Sequence, residues 1–248
     1  MYNYIGILSK STAVSNVFTA NFYSSNSKFN LVQSKGNTIE IFNINKDGLQ
    51  STPSINLYAN ISVLDKLSLE NSIINSLFVV TEELDYLIIN FDKYTESFQV
   101  KEKGSIKEDI GRRLSKIHYT IEEHNNINSY IVISAYRNIF KVIDLKTNKT
   151  MSIRYNFDDI ISLNRLNSYS NNKNTFGIVK SINFYDHNTS NSQDCKISII
   201  FETFSINMIT QSKISSEWTM NLSSTKNFSL VFAPKRGGII IFYSNVLR

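Results

Sequence analysis

The side chains of this 248-residue chain with the greatest capacity for metal, nucleophilic or acid–base chemistry are three histidines, one cysteine and a few adjacent carboxylates. His118, His124 and His187 show no metal-ligand spacing with one another or with Cys195, so structural or solvated roles are expected for them. His118 and Glu122 would share one face of a helix, but the segment they occupy reads as a strand. Cys195 lies beside Lys196 at the start of a strand, where a neighbouring cation would lower a thiol pKa; an inert small side chain is the simpler reading. Glu82-Glu83, Glu122-Glu123 and Asp158-Asp159 invite an acid–base pairing. Neighbours on a strand face opposite ways, so charged turn residues explain them better. No GxGxxG, P-loop or GxSxG occurs, and nothing argues for catalysis, a metal or a cofactor.

The charge balance is weakly basic, with 26 Lys and Arg against 21 Asp and Glu and a net +5. Its densest cluster is Lys101, Lys103, Lys107, Arg112, Arg113 and Lys116, interrupted by Glu102, Glu108 and Asp109. A phosphate-binding groove needs aligned cations, and this segment mixes both signs. It reads as a long, solvated surface loop over Lys101–Lys116, with an acidic protein partner or a nucleic acid as the lesser alternatives. Such loops carry the contacts of rigid scaffolds.

The scaffold is a series of β-hairpins. Tyr130–Ser134 and Ile139–Leu145 are short runs rich in Ile, Val, Phe and Tyr on either side of the turn Tyr136-Arg137-Asn138, a composition and length that favour strands. The same unit recurs at Leu31-Val32 with Ile39–Ile44, and at Leu77–Val80 with Tyr86–Phe91. It recurs again at Ile197–Phe201 with Phe204–Ile209, through a turn at Glu202-Thr203, and at Leu230–Ala233 with Ile239–Tyr243. Ile41, Ile89, Val142, Met208 and Ile241 are then equivalent positions, at uneven steps around the roughly 40–50-residue period of propeller blades. A β-sandwich or barrel of five hairpins is the alternative. Blades fall near 13–58, 61–100, 117–157 and 176–222, with a partial fifth over 228–248, all in one domain. Asp158–Asn164 fits a helical turn or a strand equally well. The fold class is all-β, an incomplete β-propeller of about four and a half blades. Closure is missing, so the chain is expected to continue past Arg248, and Gly237–Tyr243 would otherwise leave an aggregation-prone edge.

Composition fits this reading. Hydrophobic residues make up 42% and aromatics 12%, enough for a core, and with only 8 Gly and 2 Pro the turns fall to Asn and Ser, of which Asn tolerates left-handed backbone. A single cysteine excludes an internal disulfide and fits a reducing compartment. The N-terminus lacks a basic n-region and an apolar core, and no apolar run approaches the about 18 residues of a membrane span. A soluble, intracellular protein is expected.

With the strands placed, NYIGILSKSTAVSNVFTANF, TIEIFNINKDGL, DIGRR, RNIFKVIDL and FAPKRGGIIIFYS stand in order along the chain. Together they resemble the start of the large subunit of damage-specific DNA-binding protein, the adaptor of cullin-RING ubiquitin ligases, from Asn3 to about Tyr243. The resemblance implies a WD-repeat-like scaffold of three propellers, of which this chain would hold the first part of the first, out of seven blades. It implies no enzyme activity and no cofactor. Its implied partners are substrate-receptor proteins and a cullin-RING ligase, met through the longer protein, with DNA reached through a partner subunit and no membrane. The setting would be DNA repair and protein ubiquitination in the nucleus, with the cytoplasm as a second location. Ile110, Gly111 and Arg112 are the partner-contact residues it suggests, although Arg113 and Leu114 depart from the family pattern that follows them. Paralogous scaffolds of the splicing and the cleavage and polyadenylation machineries share the architecture, so an RNA-processing scaffold with direct nucleic-acid contact is the alternative.

Overall fold

The computed structural model describes residues 12–22, 29–52, 54–69, 72, 74–92, 94–95, 97–124, 127–154, 159–166, 175–184, 196–207, 212–222, 228–233 and 238–243, with side chains up to residue 154 apart from 122–129. Among these residues there are strands and turns but no helix. The first sheet contains β1 (Asn16–Ala20), β2 (Asn30–Lys35), β3 (Thr38–Asn45) and β4 (Gly48–Ser51), with the short β5 (Ile55–Asn56) also paired to β3. The second holds β6 (Ile61–Leu67), β7 (Ser76–Thr81), β8 (Asp85–Asp92) and β9 (Ser97–Ser105). The third holds β10 (Arg113–His124), β11 (Ile127–Tyr136), β12 (Ile139–Asp144) and β13 (Lys149–Arg154). The fourth holds β14 (Asp159–Leu166), β15 (Thr175–Phe184), β16 (Lys196–Asn207) and β17 (Ser212–Leu222), and β18 (Phe228–Ala233) pairs with β19 (Gly238–Tyr243). Sequential antiparallel sheets of this size are propeller blades. A sandwich would gather the strands into two sheets and a barrel into one, which this strand order excludes.

Burial follows the position of a strand in its sheet. All six residues of β7 are buried, whereas β9 is mostly exposed and all four residues of β4 are exposed. A middle strand packs on both faces and reads as a continuous apolar run, SLFVVT; an outermost strand meets solvent and carries Lys, Glu and Gln. The positions matched between hairpins, Ile41, Ile89 and Val142, are each in the third strand of their sheet and no more than 1% exposed. Ile241 lies on β19, paired with Leu230, and Met208 is outside the described residues.

The chain divides into two compact units, Met1–Lys107 with Glu123–Asn128, and Glu108–Glu122 with Ser129–Arg248. In the first, Ala20, Phe22, Val32, Ile39 and Ile41 pack with Ile61, Leu64, Leu77, Val79, Leu87 and Ile89 in one core. Phe22 and Phe98 meet edge to face at 5.6 Å, a favoured aromatic geometry. In the second, Ile131, Val132, Ile133, Phe140, Val142 and Ile143 are all at most 1% exposed.

The hairpin turns explain the scarcity of glycine. Gly36, Leu84 and Asn138 adopt positive φ at the tips of the β2–β3, β7–β8 and β11–β12 hairpins, and Asn148 does so between β12 and β13. Asparagine enters this region readily; leucine does not, at a cost of roughly 1–2 kcal/mol. Leu84 tolerates it because its side chain is buried, which contributes about 1.5–3 kcal/mol, and because its N–H donates to the Thr81 carbonyl at 2.9 Å.

Two expectations need correction, and one open alternative is decided. No turn falls at Glu202-Thr203: β16 runs through them, pairing Glu202 with Ile178 and Glu217, and Thr203 with Gly177 and Ser216. Polar residues inside a strand leave backbone pairing intact, so the pair was a misleading turn signal. Of Asp158–Asn164, which fitted a helical turn or a strand, residues 159–164 are strand, in β14, and Asp158 lies outside the described residues. The long loop over Lys101–Lys116 shrinks to residues 106–112, because β9 extends to Ser105 and β10 begins at Arg113. The charged residues Lys101 to Lys103 belong to an exposed outer strand, where charge is compatible with pairing.

Candidate protein-contact site

Residues 106–112 leave β9 and enter β10. Ile106 is buried, and its N–H donates to the Leu84 carbonyl at 2.9 Å. Lys107 forms an ion pair with Asp85 at 3.4 Å. Burial pushes the Asp85 carboxyl up, but the Tyr58 hydroxyl and the Lys107 cation outweigh that and hold it below its ordinary value.

From Glu108 onward the loop lies against the third sheet. The Glu108 N–H donates to the Tyr136 hydroxyl oxygen at 3.3 Å. Its carboxylate accepts from Ser152 Oγ at 2.6 Å and forms an ion pair with Lys141, both side chains of that pair being largely buried. Hydrogen bonding from Lys141, then from Ser152, together with the nearby Lys141 and Arg154 charges, holds the Glu108 carboxyl below its ordinary range. At the far end, the Arg112 carbonyl accepts from the Arg137 N–H at 2.8 Å, at the tip of the β11–β12 hairpin. A β-carbon on Gly111 would lie 3.0 Å from Tyr136 Cδ1 and 3.3 Å from Ile139 Cδ1. A side chain here would oblige Tyr136 or Ile139 to give way by a few tenths of an ångström, so the absence of a β-carbon lets the loop lie this close to the hairpin.

Between these anchors Ile110 is 75% exposed, and Asp109 and Arg112 are exposed beside it. The segment is a tethered loop that presents one large apolar side chain and one arginine to solvent. Arginine and large apolar residues presented from a rigid backbone suit a protein interface. The three residues named from the sequence thus occupy one short surface feature. Glu108, which anchors it, went unrecognised because its partners lie far along the chain, Ser152 being 44 residues away.

The remaining chemical candidates stay dispersed. Lys101 and Lys103 are on β9, and Arg113 and Lys116 are on β10. His118 is on β10, where burial, with help from Lys116, pushes its pKa down. The His124 side chain, His187 and Cys195 lie outside the described residues. Among the described residues no group of three His, Cys, Asp or Glu is placed to hold a metal ion, and no helix is long and apolar enough to cross a membrane.

The family model of the RSE1/DDB1/CPSF1 first beta-propeller matches residues 13–239. The chain belongs to this first-propeller family. Its relatives include DNA damage-binding protein 1 of Oryza sativa subsp. japonica and DNA damage-binding protein 1b of Arabidopsis thaliana. Each is 27% identical over 112 residues, a stretch covering 45% of this chain and 10% of the relative. Membership of the first-propeller family agrees with the resemblance seen in the motifs and with the blade-like sheets. The matched region includes residues 106–112 and the hairpin that holds them.

Proposed function

We propose that this chain is part of a non-catalytic scaffold propeller that holds other proteins together, and that it serves a cullin-RING ubiquitin ligase in DNA repair by joining substrate receptors to it. The observation that carries the reading is the family match over residues 13–239, on a framework whose exposed loop offers Ile110 and Arg112 rather than a catalytic constellation. Relatives named as DNA damage-binding proteins support the repair branch. The chain acts as one partial propeller domain with blades that follow the sheets, the fourth starting at β14 (Asp159) and not near residue 176. Residues 110–112 contribute to receptor contact, DNA is met through a partner subunit, and the protein works in the nucleus.

Reconstitution tests this. The protein, mixed with purified cullin and substrate-receptor subunits, should retain the receptor through an interaction that Ile110→Asp weakens at least tenfold. It should bind neither duplex DNA nor RNA on its own. The RNA-processing reading predicts the reverse: direct RNA retention in filter binding, with a steep fall as salt rises, and no receptor capture.

A further inference from the structure

Glu108 is the residue at which the contact loop is locked to its blade. Three elements converge on it: the Tyr136 hydroxyl from β11, the Lys141 ammonium from β12 and the Ser152 hydroxyl from β13. The side chain joins two strands of the sheet, β12 and β13, and the backbone N–H ties to a third, β11, which together fix the backbone just before Ile110. We propose that Glu108 is a positioning residue, an electrostatic latch that presets residues 109–112 for partner binding. Its role in binding rests on the scaffold reading above; its role in seating the loop does not.

The lock is charge-dependent by construction. Lys141 is largely buried with Glu108, and such a pair loses its strength when one member is neutralised. The charged and titratable groups facing Glu108 are Lys141 on β12, Arg154 on β13 and the Tyr136 phenol on β11. Both cations favour the ionised carboxylate. The folded-state pKa is lowered, so the latch is intact above the ordinary glutamate value of about 4.3 and opens as pH falls through the lowered one. Preorganisation of a loop improves affinity by removing the entropy lost on binding.

A built-in reporter makes the latch measurable. The Arg137 N–H donates to the Arg112 carbonyl at the other end of the loop, so its hydrogen exchange reads whether the loop is seated. In the full chain, Glu108→Ala and, separately, Lys141→Met should speed exchange at Arg137 at least tenfold while Val132 in the core of β11 stays protected. The charge swap of Glu108→Lys with Lys141→Glu should restore slow exchange. Unchanged exchange at Arg137 in both single variants would overturn the latch. So would acceleration at Arg137 and Val132 together, which reports general loosening.

Binding separates this proposal from the one it builds on. If Ile110→Asp leaves receptor affinity intact while Glu108→Ala still frees Arg137, the contact role fails and the latch stands. If Ile110→Asp abolishes affinity but Arg137 is indifferent to Glu108, the contact role stands and the latch fails.

Discussion

Residues 57–60, between β5 and β6, and residues 106–112, between β9 and β10, each carry a large side chain into solvent: Tyr58 at 67% exposure and Ile110 at 75%. The first connection is fastened along its length. The Leu57 and Ile61 N–H groups donate to the Asn37 and Gly36 carbonyls, each at 2.9 Å, and the Asn60 carbonyl accepts from Glu82 at 2.8 Å. The Tyr58 hydroxyl donates to Asp85 at 2.8 Å, so its polar end is already in use. The second is fastened at Ile106, Glu108 and Arg112 and presents a wholly apolar side chain in between. Exposure alone does not mark a contact residue. Ile110 differs from Tyr58 in having no polar group of its own to satisfy within the chain, on a loop fastened at Glu108 and Arg112 to either side of it.

The largest expected effect lies in the core of the first unit, the one that holds residues 57–60. Phe22→Ala empties a fully buried site beside Phe98 and should cost about 3–5 kcal/mol in denaturant unfolding. A cost below about 1 kcal/mol would mean that the first unit is too loosely packed to hold residues 57–60 in place.

Glu108→Ala comes next, at about 1.5–3 kcal/mol, the range for losing hydrogen bonds to a charged group. The same stabilisation should fade in the unmodified chain as pH drops from about 4.3 through the lowered Glu108 value, because the unfolded state then binds the proton more readily. The variant should lack that part of the acid transition. If variant and parent titrate identically, Glu108 is not the anchor, and the two connections differ less than their hydrogen bonds and ion pairs suggest.

Smallest should be the substitutions at the exposed tips. Tyr58→Phe and Ile110→Ala should each change stability by no more than about 0.5 kcal/mol, as surface changes commonly do. A larger loss at Ile110 would show that its side chain packs within the fold and is not held ready for a partner.

Much of this was legible from residue pattern. The β11–β12 hairpin announced itself through two β-branched and aromatic runs around Arg137-Asn138, and Asn138 does take the positive φ that its residue type permits. Ile110, Gly111 and Arg112 were found through resemblance, since no periodicity singles them out. The outer half of β9 was hidden because exposed strands need no apolar alternation, and the continuity of β16 was hidden because Glu202-Thr203 looks like a turn in isolation. Glu108 was illegible for a different reason. Its significance depends on Lys141 and Ser152, which chain folding brings to it and sequence proximity does not.

The most direct test of the account is receptor affinity measured in parallel for Ile110→Asp and Tyr58→Asp, with both proteins verified as folded. The docking role predicts at least a tenfold loss for Ile110→Asp and an unchanged value for Tyr58→Asp. Equal affinities for the two variants and the parent would contradict it.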